Sequence, residues 1–496
     1  MSKDSKNMKG TYFISSISIT SSIVEYGISS IFTLFLLYVL NLSMPLTSKV
    51  FAYYYGFAYL LPILVGYISD KYLNKSTSLT LGFISMILSQ IFLWFTASLY
   101  QPSNIVHDTI SFSLQNMAFF TGLIFLALGT SFSTLSITHI INSINNDDAS
   151  RLKGFSIYYP ILNIGVFIGV IIMSILIGDE NYELYEWAFA IFAIILTLGL
   201  INFRLFKSKY LVDNDGKPMK DGHSTDSIRN ASNKLLKSIS HKSISEINVL
   251  NLKERRKLFH DSLNSHEKDR LKVFIIFLLI IIFYRIAYSQ TSISIVFFID
   301  GYVQRDLGFF EFPVQLFFIL NPTFVLILSP IFIKINNKLK EKGMELGFIN
   351  RSIIAILVMA FCYVILAAVG YYIDIDAVDK ISLIWIVIFE LFIVISELYF
   401  AIAGYSMVGN LAPEKYYSLF FGLFTATRAI AMFFSGRLSS HFPPDATATL
   451  IYNIPINGLM SYFLIFVIMN LFAAAALIIY RKRLTSKLHL EDFNET

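Results

Sequence analysis

A chain of 496 residues in which hydrophobic types make up 55% and charged types only 15% lies outside the balance of a soluble domain; its mean hydropathy is +0.63. The net charge of +5 traces to residues 207–272, which hold fifteen Lys/Arg against nine Asp/Glu, so it is not a nucleic-acid footprint. The single cysteine, Cys362, excludes an intrachain disulfide.

In chain order, long apolar runs alternate with short polar breaks. Tyr12–Leu40, Ser48–Ser69, Ser78–Tyr100, Ser113–Ile141, Gly154–Gly178 and Tyr185–Phe206 form a first set. Val273–Phe298, Pro313–Ile335, Ile353–Ile373, Ile381–Leu411, Tyr417–Phe434 and Leu459–Tyr480 form a second. Each is near or above the ~20 residues an α-helix needs to cross ~30 Å of hydrocarbon. No water is available there for backbone N–H and C=O groups, so such runs must be helical. The sequence thus predicts an all-α integral membrane protein with about twelve transmembrane helices. The first run is too long for a cleavable leader and lacks a small-residue cleavage site.

Charge placement gives an orientation. With the N-terminus inside, the outer loops hold acids such as Asp108, Glu183, Asp300 and Asp374 and few cations. The inner loops carry Lys71, Lys75, Arg151, Lys153, Lys338, Lys342 and Arg481–Arg483. This positive-inside bias places both termini in the cytoplasm. The expected organisation is a six-helix bundle over residues 1–206, a basic cytoplasmic linker over 207–270, and a second six-helix bundle with a cytoplasmic tail over 271–496. The linker begins polar and turn-rich, and its later part suits short amphipathic helices on the inner leaflet. Its composition is that of a tether, with regulation or lipid binding as the other reading.

A six-plus-six layout is that of the major facilitator superfamily, whose halves rock around a midplane site. The stretch Gly66-Tyr-Ile-Ser-Asp70-Lys71-Tyr-Leu-Asn74-Lys75, between the second and third spans, resembles that superfamily's G-x-x-x-D-[RK]-x-x-G-[RK] loop, with Asn74 in place of the later glycine. Asp70 is expected to cap a neighbouring helix N-terminus and to brace the outward-open state.

An ionisable side chain inside a span costs about 2.5–3.5 kcal/mol or more, so each needs a reason. Six require one: Glu25, His139, Arg285, Glu390, Glu397 and Arg428. Glu390, Arg428 and His139 read more readily as structural, through pairing or closeness to an interface. Glu397 lies well inside its span and is followed by Ala401, Ala403 and Gly404, small residues that allow close helix contact or leave room for a solute. A carboxyl there can exchange a proton or meet a cationic group.

The string Glu397-Leu-Tyr-Phe-Ala-Ile-Ala-Gly404-Tyr-Ser406, followed by Leu411-Ala-Pro413, resembles the E-L-x-x-S-P-x-G-x-S…A-P stretch of proton-dependent oligopeptide transporters. Tyr158-Tyr159-Pro-Ile-Leu-Asn163-Ile-Gly165 is similar to that family's fifth-span F-Y-x-x-I-N-x-G, Tyr59-Leu-Leu-Pro62 to its second-span Y-L-x-P, and Asn321-Pro322 to its eighth-span N-P. Gln290 matches a seventh-span glutamine. The resemblance implies the major facilitator fold and proton-driven transport of di- and tripeptides. It makes Glu397, Asn321, Asn163, Tyr159, Tyr59 and Gln290 the expected substrate contacts, with Glu25 added from its place in the first span. The implied partners are a small peptide or amine-bearing solute, protons and the lipid bilayer; no nucleic acid and no cofactor is called for.

The departures are as informative. Ser18, Ser21 and Ser22 stand where the family's first-span E-x-x-E-R places its acids and arginine, Thr134-Leu-Ser136 replaces the fourth-span K-P-N, and Ser289 replaces a seventh-span acid. Glu25 and Arg285 are unusual charges in the first and seventh spans. The expectation is that they pair across the halves in place of the missing bridge, with Glu397, Glu25, Arg285 and Asp70 governing coupling or gating.

The reading is therefore a secondary transporter for small peptides or related amine-bearing solutes. Uncoupled or non-peptide transport stays open, as does a non-transporting sensor of the same fold. A membrane-embedded enzyme is disfavoured, because the chain has no HExxH, GxSxG or P-loop string.

Overall fold

The structure, a computed structural model, describes residues 3–103, 105–145, 148–178, 181–211, 264–308, 310–343, 346–413, 417–442, 448–451 and 454–486. The apolar runs become helices that cross one layer in alternating directions. The first six are α1 (Lys3–Leu34, prolonged by a π-turn over Phe35–Val39), α2 (Met44–Tyr72), α3 (Lys75–Ser98), α4 (Leu114–Ile144), α5 (Asp148–Ile177) and α6 (Tyr185–Tyr210). The seventh crossing is broken into α7 (Ser265–Ser289) and the short α8 (Ser294–Tyr302). Then follow α9 (Phe317–Glu341), α10 (Phe348–Asp374), α11 (Ile384–Leu411), α12 (Tyr417–Ser439) and α13 (Gly458–Ser486). Among the described residues, eleven crossings are long and apolar enough to span a membrane, α7 and α8 counting as one; α12, which carries Arg428 and Arg437, is the crossing outside that set.

Several helices overrun their apolar runs. Helix α6 continues to Tyr210 and α7 begins at Ser265, so both edges of the expected 207–270 linker extend the flanking helices. The rest of that linker, residues 212–263, lies outside the described residues, as does the tail after Ser486. The loops also add two small two-stranded sheets to the helical plan: Val303–Gln304 pairs with Ile381–Ser382, and Ala448–Ile451 with Ile454–Asn457.

Local chemistry sets the helix ends. The side chain of Asn74 accepts from the N–H of Thr77 at 2.6 Å and caps α3, which gives a physical reason for asparagine where the loop pattern has glycine. Asn264 and Glu267 form a reciprocal capping box at the start of α7. Asp70 falls in the last turn of α2, and its side chain lies outside the described ones.

Helix α1 packs along α5, where Gly169 faces the backbone of Ile23 and Gly165 faces that of Ile19 so closely that a Cβ at Gly165 would come 2.6 Å from the Ile19 carbonyl oxygen. Without a hydrophobic driving force in lipid, such backbone approach is what holds helices together. The seventh crossing is pinned at its break. Gln290 is fully buried; its Nε2 donates to Ser435 Oγ at 2.7 Å, and its Oε1 accepts from Ser294 Oγ and Ser439 Oγ at 2.6 Å each. These bonds replace the backbone pairing that the break gives up.

The first six helices meet the later ones at the end away from both termini. Thr33 Oγ1 donates to the carbonyl of Ser292 at 2.7 Å, Tyr38 donates to Asp300, and Gln315 Nε2 donates to the carbonyl of Gly178 at 3.1 Å. Asp300 also lies 3.9 Å from Arg305. On the same side Gly436 of α12 abuts Ala52 and Ser48 of α2.

Candidate functional site

Below that closed end, helices from both sets enclose a central cavity of about 400 Å³. Its acidic wall comes from α11. Glu390 and Glu397 are seven residues apart, two helical turns, and so project from one face. Asn321 of α9, immediately before Pro322, reaches across to both. Its Nδ2 donates to Glu390 Oε1 at 3.0 Å and to Glu397 Oε2 at 3.0 Å. Tyr288 OH donates to the same Oε2 of Glu397 at 3.2 Å. Glu390 is 3% exposed and its Oε2 has no hydrogen-bond partner. Glu397 lines the cavity, held by a phenol and an amide rather than by a cation.

Aromatic rings brace this wall. Tyr284 stacks on Phe400 with centroids 4.0 Å apart. The guanidinium of Arg285 sits over two rings, 5.3 Å from the Phe400 centroid and 4.7 Å from that of Phe424, in the range of favourable cation–π contact. Arg428, one turn beyond Phe424 on α12, also lines the cavity.

The opposite wall is neutral. It presents Tyr26 and Ser29 from α1, Tyr55 and Tyr59 from α2, and Tyr159 and Asn163 from α5. Ser29 and Tyr55 share a 2.8 Å hydroxyl contact, and Asn163 Nδ2 donates to the carbonyl of Tyr159 at 2.8 Å. Among the lining residues every charged one, Arg285, Glu390, Glu397 and Arg428, therefore belongs to the later helices.

Of the residues singled out in the sequence, the cavity gathers Glu397, Asn321, Asn163, Tyr159, Tyr59 and Arg285. Gln290 is not among its lining; it is the buried staple of the helix break, and its bonds to α8 and α12 use it structurally. Glu25 is also outside the lining, where its neighbour Tyr26 takes the place. It takes part in no ion pair among the described residues, so the expected Glu25–Arg285 bridge is not formed. The reason is local: the Arg285 guanidinium sits over Phe400 and Phe424. His139 stands apart from this cavity, in a small hollow with Gly66, Ser69 and Lys75.

The sequence reading undervalued Glu390 and Arg428 and did not single out Tyr26, Tyr55, Tyr284 or Tyr288. For Glu390 a signal existed, because its seven-residue spacing from Glu397 places both on one stripe. For the tyrosines there was none, in a chain with 28 of them. Among the described residues no group of three or more His, Cys, Asp or Glu side chains could hold a metal ion.

Comparison with known proteins places this geometry. The model of a family described as the POT family matches residues 78–447. The peptide transporter YePEPT of Yersinia enterocolitica subsp. palearctica is 22% identical over 452 residues, covering 85% of this chain and 85% of the relative. Dipeptide and tripeptide permease B of Yersinia enterocolitica serotype O:8 is 24% identical over 431 residues, covering 84% and 82%. Among solved structures, a peptide transporter POT in complex with sulfate superposes with a TM-score of 0.75 at 17% identity, over 98% of this chain and 99% of that one. A POT family transporter in complex with 5-aminolevulinic acid gives 0.73 at 18% identity, over 96% of each. At these identities the structural matches establish the shared fold, that of the major facilitator transporters.

Proposed function

The chain belongs to the POT family, and on that premise we propose that it carries di- and tripeptides, or closely related amine-bearing solutes, across the membrane by alternating access. The observation that carries the reading is Glu397. It is an intramembrane carboxylate presented to a central cavity by Asn321 and Tyr288, with no cation in an ion pair with it among the described residues. An ammonium group is the natural complement, and the named relatives are peptide transporters and permeases.

The cavity's position supports an alternating mechanism. The two sets of helices meet at the end away from the termini. With both termini cytoplasmic, as the basic inner loops favour, this is the conformation closed to the outside. Opening would break the Tyr38–Asp300, Thr33–Ser292 and Gln315–Gly178 contacts as the halves rock about the site.

Glu397 is also the group we assign to proton exchange. A second reading, transport without protons, is favoured by one observation. Ser18 and Ser21, where the family carries acids, donate instead to backbone carbonyls of their own helix at 2.7 and 3.0 Å, so these two positions have nothing to titrate.

Uptake of labelled dialanine into proteoliposomes, with and without an inward proton gradient, tests both. Gradient-driven uptake abolished by Glu397→Gln is the expected result. Uptake indifferent to the gradient selects the uncoupled reading, and no uptake by folded protein removes the peptide reading.

A further inference from the structure

The charges of the cavity lie on one side of it. The acids Glu390 and Glu397 and the cations Arg285 and Arg428 all come from the later helices, while the first six present phenols, hydroxyls and an amide. Arg428 holds a specific place in this array. It sits one turn from Phe424 and one turn from Met432 on α12, and all three line the cavity, so the helix turns this face to the solute. It is exposed, in a helix whose one other charged residue, Arg437, lies in the last turn, and a charge placed inside a crossing calls for a reason. Its charge reaches Glu397 and Tyr288 on its own side and Tyr26 and Tyr59 across the cavity. Even so, Glu397 is bonded to Asn321 and Tyr288 rather than to the guanidinium. An acid and a cation thus line one cavity from adjacent helices. Arg285, held over Phe424, adds a second positive charge to the same lining.

We propose that Arg428 receives the carboxylate of the substrate while Glu397 receives its amine, so that both charged ends of a zwitterion are held by the later six helices. The assignment deepens the peptide reading above and rests on it. A planar guanidinium offers two parallel N–H donors to a carboxylate, which a lone ammonium does not. The first six helices then close on the bound zwitterion with Tyr26 and Tyr59, neutral groups that grip the solute without competing for either charge. The ligand class follows: a short peptide with both termini free, in preference to one capped at either end.

The test is binding to the full-length protein in detergent, read as apparent Kd from ligand-induced thermal stabilisation. The probes are dialanine, dialanine amide and N-acetyldialanine, and the proteins are wild type, Arg428→Gln, Arg428→Lys and Glu397→Gln. Wild type should bind dialanine at least about tenfold tighter than dialanine amide, the scale set by loss of one charge-assisted pair. Arg428→Gln should lose that preference by weakening dialanine alone, with the amide unchanged. Arg428→Lys should keep part of it, and Glu397→Gln should instead abolish discrimination against N-acetyldialanine. An Arg428→Gln protein that still prefers the free carboxylate as wild type does overturns the proposal while leaving the peptide reading intact. Should Arg428→Gln fail to fold, an undiminished preference in Arg428→Lys overturns it equally. Wild type that binds none of the three probes overturns the peptide reading itself, and this assignment with it.

Discussion

Glu390 and Glu397 share one hydrogen-bond donor, the Nδ2 of Asn321, which stands 3.0 Å from a carboxylate oxygen of each. Two acids two turns apart on α11 are thereby tied to α9 by a single amide. Both line the cavity; Glu397 has a second donor, Tyr288, and Glu390 is the more deeply buried of the two.

Removing that amide should disable the site. Asn321→Ala deprives both carboxylates of a donor, and hydrogen bonds to charged groups are worth about 1.5–3 kcal/mol each. Dialanine uptake should fall at least about tenfold and the thermal midpoint should drop. Unchanged uptake kinetics would show that Glu397 is positioned by Tyr288 alone.

The buried partner tells a separate story. Glu390→Gln preserves an oxygen acceptor for Asn321 and should leave stability within about 1 kcal/mol of wild type. Glu390→Leu leaves the amide with one acceptor fewer and should cost about 1–3 kcal/mol. Thermal unfolding of the two variants side by side decides it. Equal stabilities would mean that the Asn321–Glu390 bond adds nothing to the fold.

The closed end depends on a close approach. A Cβ on Gly436 would overlap the Ala52 side chain and lie 2.6 Å from the Ser48 carbonyl oxygen, so Gly436→Leu must push α2 and α12 apart. The expected consequence is a population shift toward the state open at that end. Labelling of a cysteine placed at cavity residue Ser292, in a Cys362→Ser background, by an impermeant maleimide added on the side away from the termini should rise several-fold. Labelling that stays at the wild-type level would place the closing contact elsewhere.

Charge reversal should not rescue. Because Arg285 rests on Phe400 and Phe424 and Glu25 lies outside the cavity lining, a Glu25→Arg/Arg285→Glu protein should transport no better than its worse single variant, at below about a tenth of wild type. Recovery of dialanine uptake would reveal a bridge formed in another conformation.

Much of this is legible in the sequence. Span lengths and the absence of water in hydrocarbon dictate twelve crossings, and the alternation of runs and breaks sets their order. The cost of a buried charge marks Glu397, and the strings around it, with Tyr159 and Asn163, point to the right family. What the strings could not supply was the neighbourhood of each charge. Glu25 and Arg285 look like partners when only their spans are known, because a helical run apolar on every face does not say which way a side chain points. Gln290 matched a pattern and proved to staple a broken helix instead.

By itself, then, the sequence determined the architecture and the identity of the central acid, since both follow from one-dimensional quantities: run length, hydropathy, and the penalty for an ionisable group in lipid. Only the tertiary structure decided which charges share the cavity. Asn321 meets acids 69 and 76 residues away, Thr33 meets a carbonyl 259 residues away, and Arg428 reaches the same space as Glu397 through helix packing alone. Those meetings are fixed by close backbone contacts such as Gly169 on Ile23 and Gly436 on Ala52, and packing of that kind leaves no periodic trace along the chain.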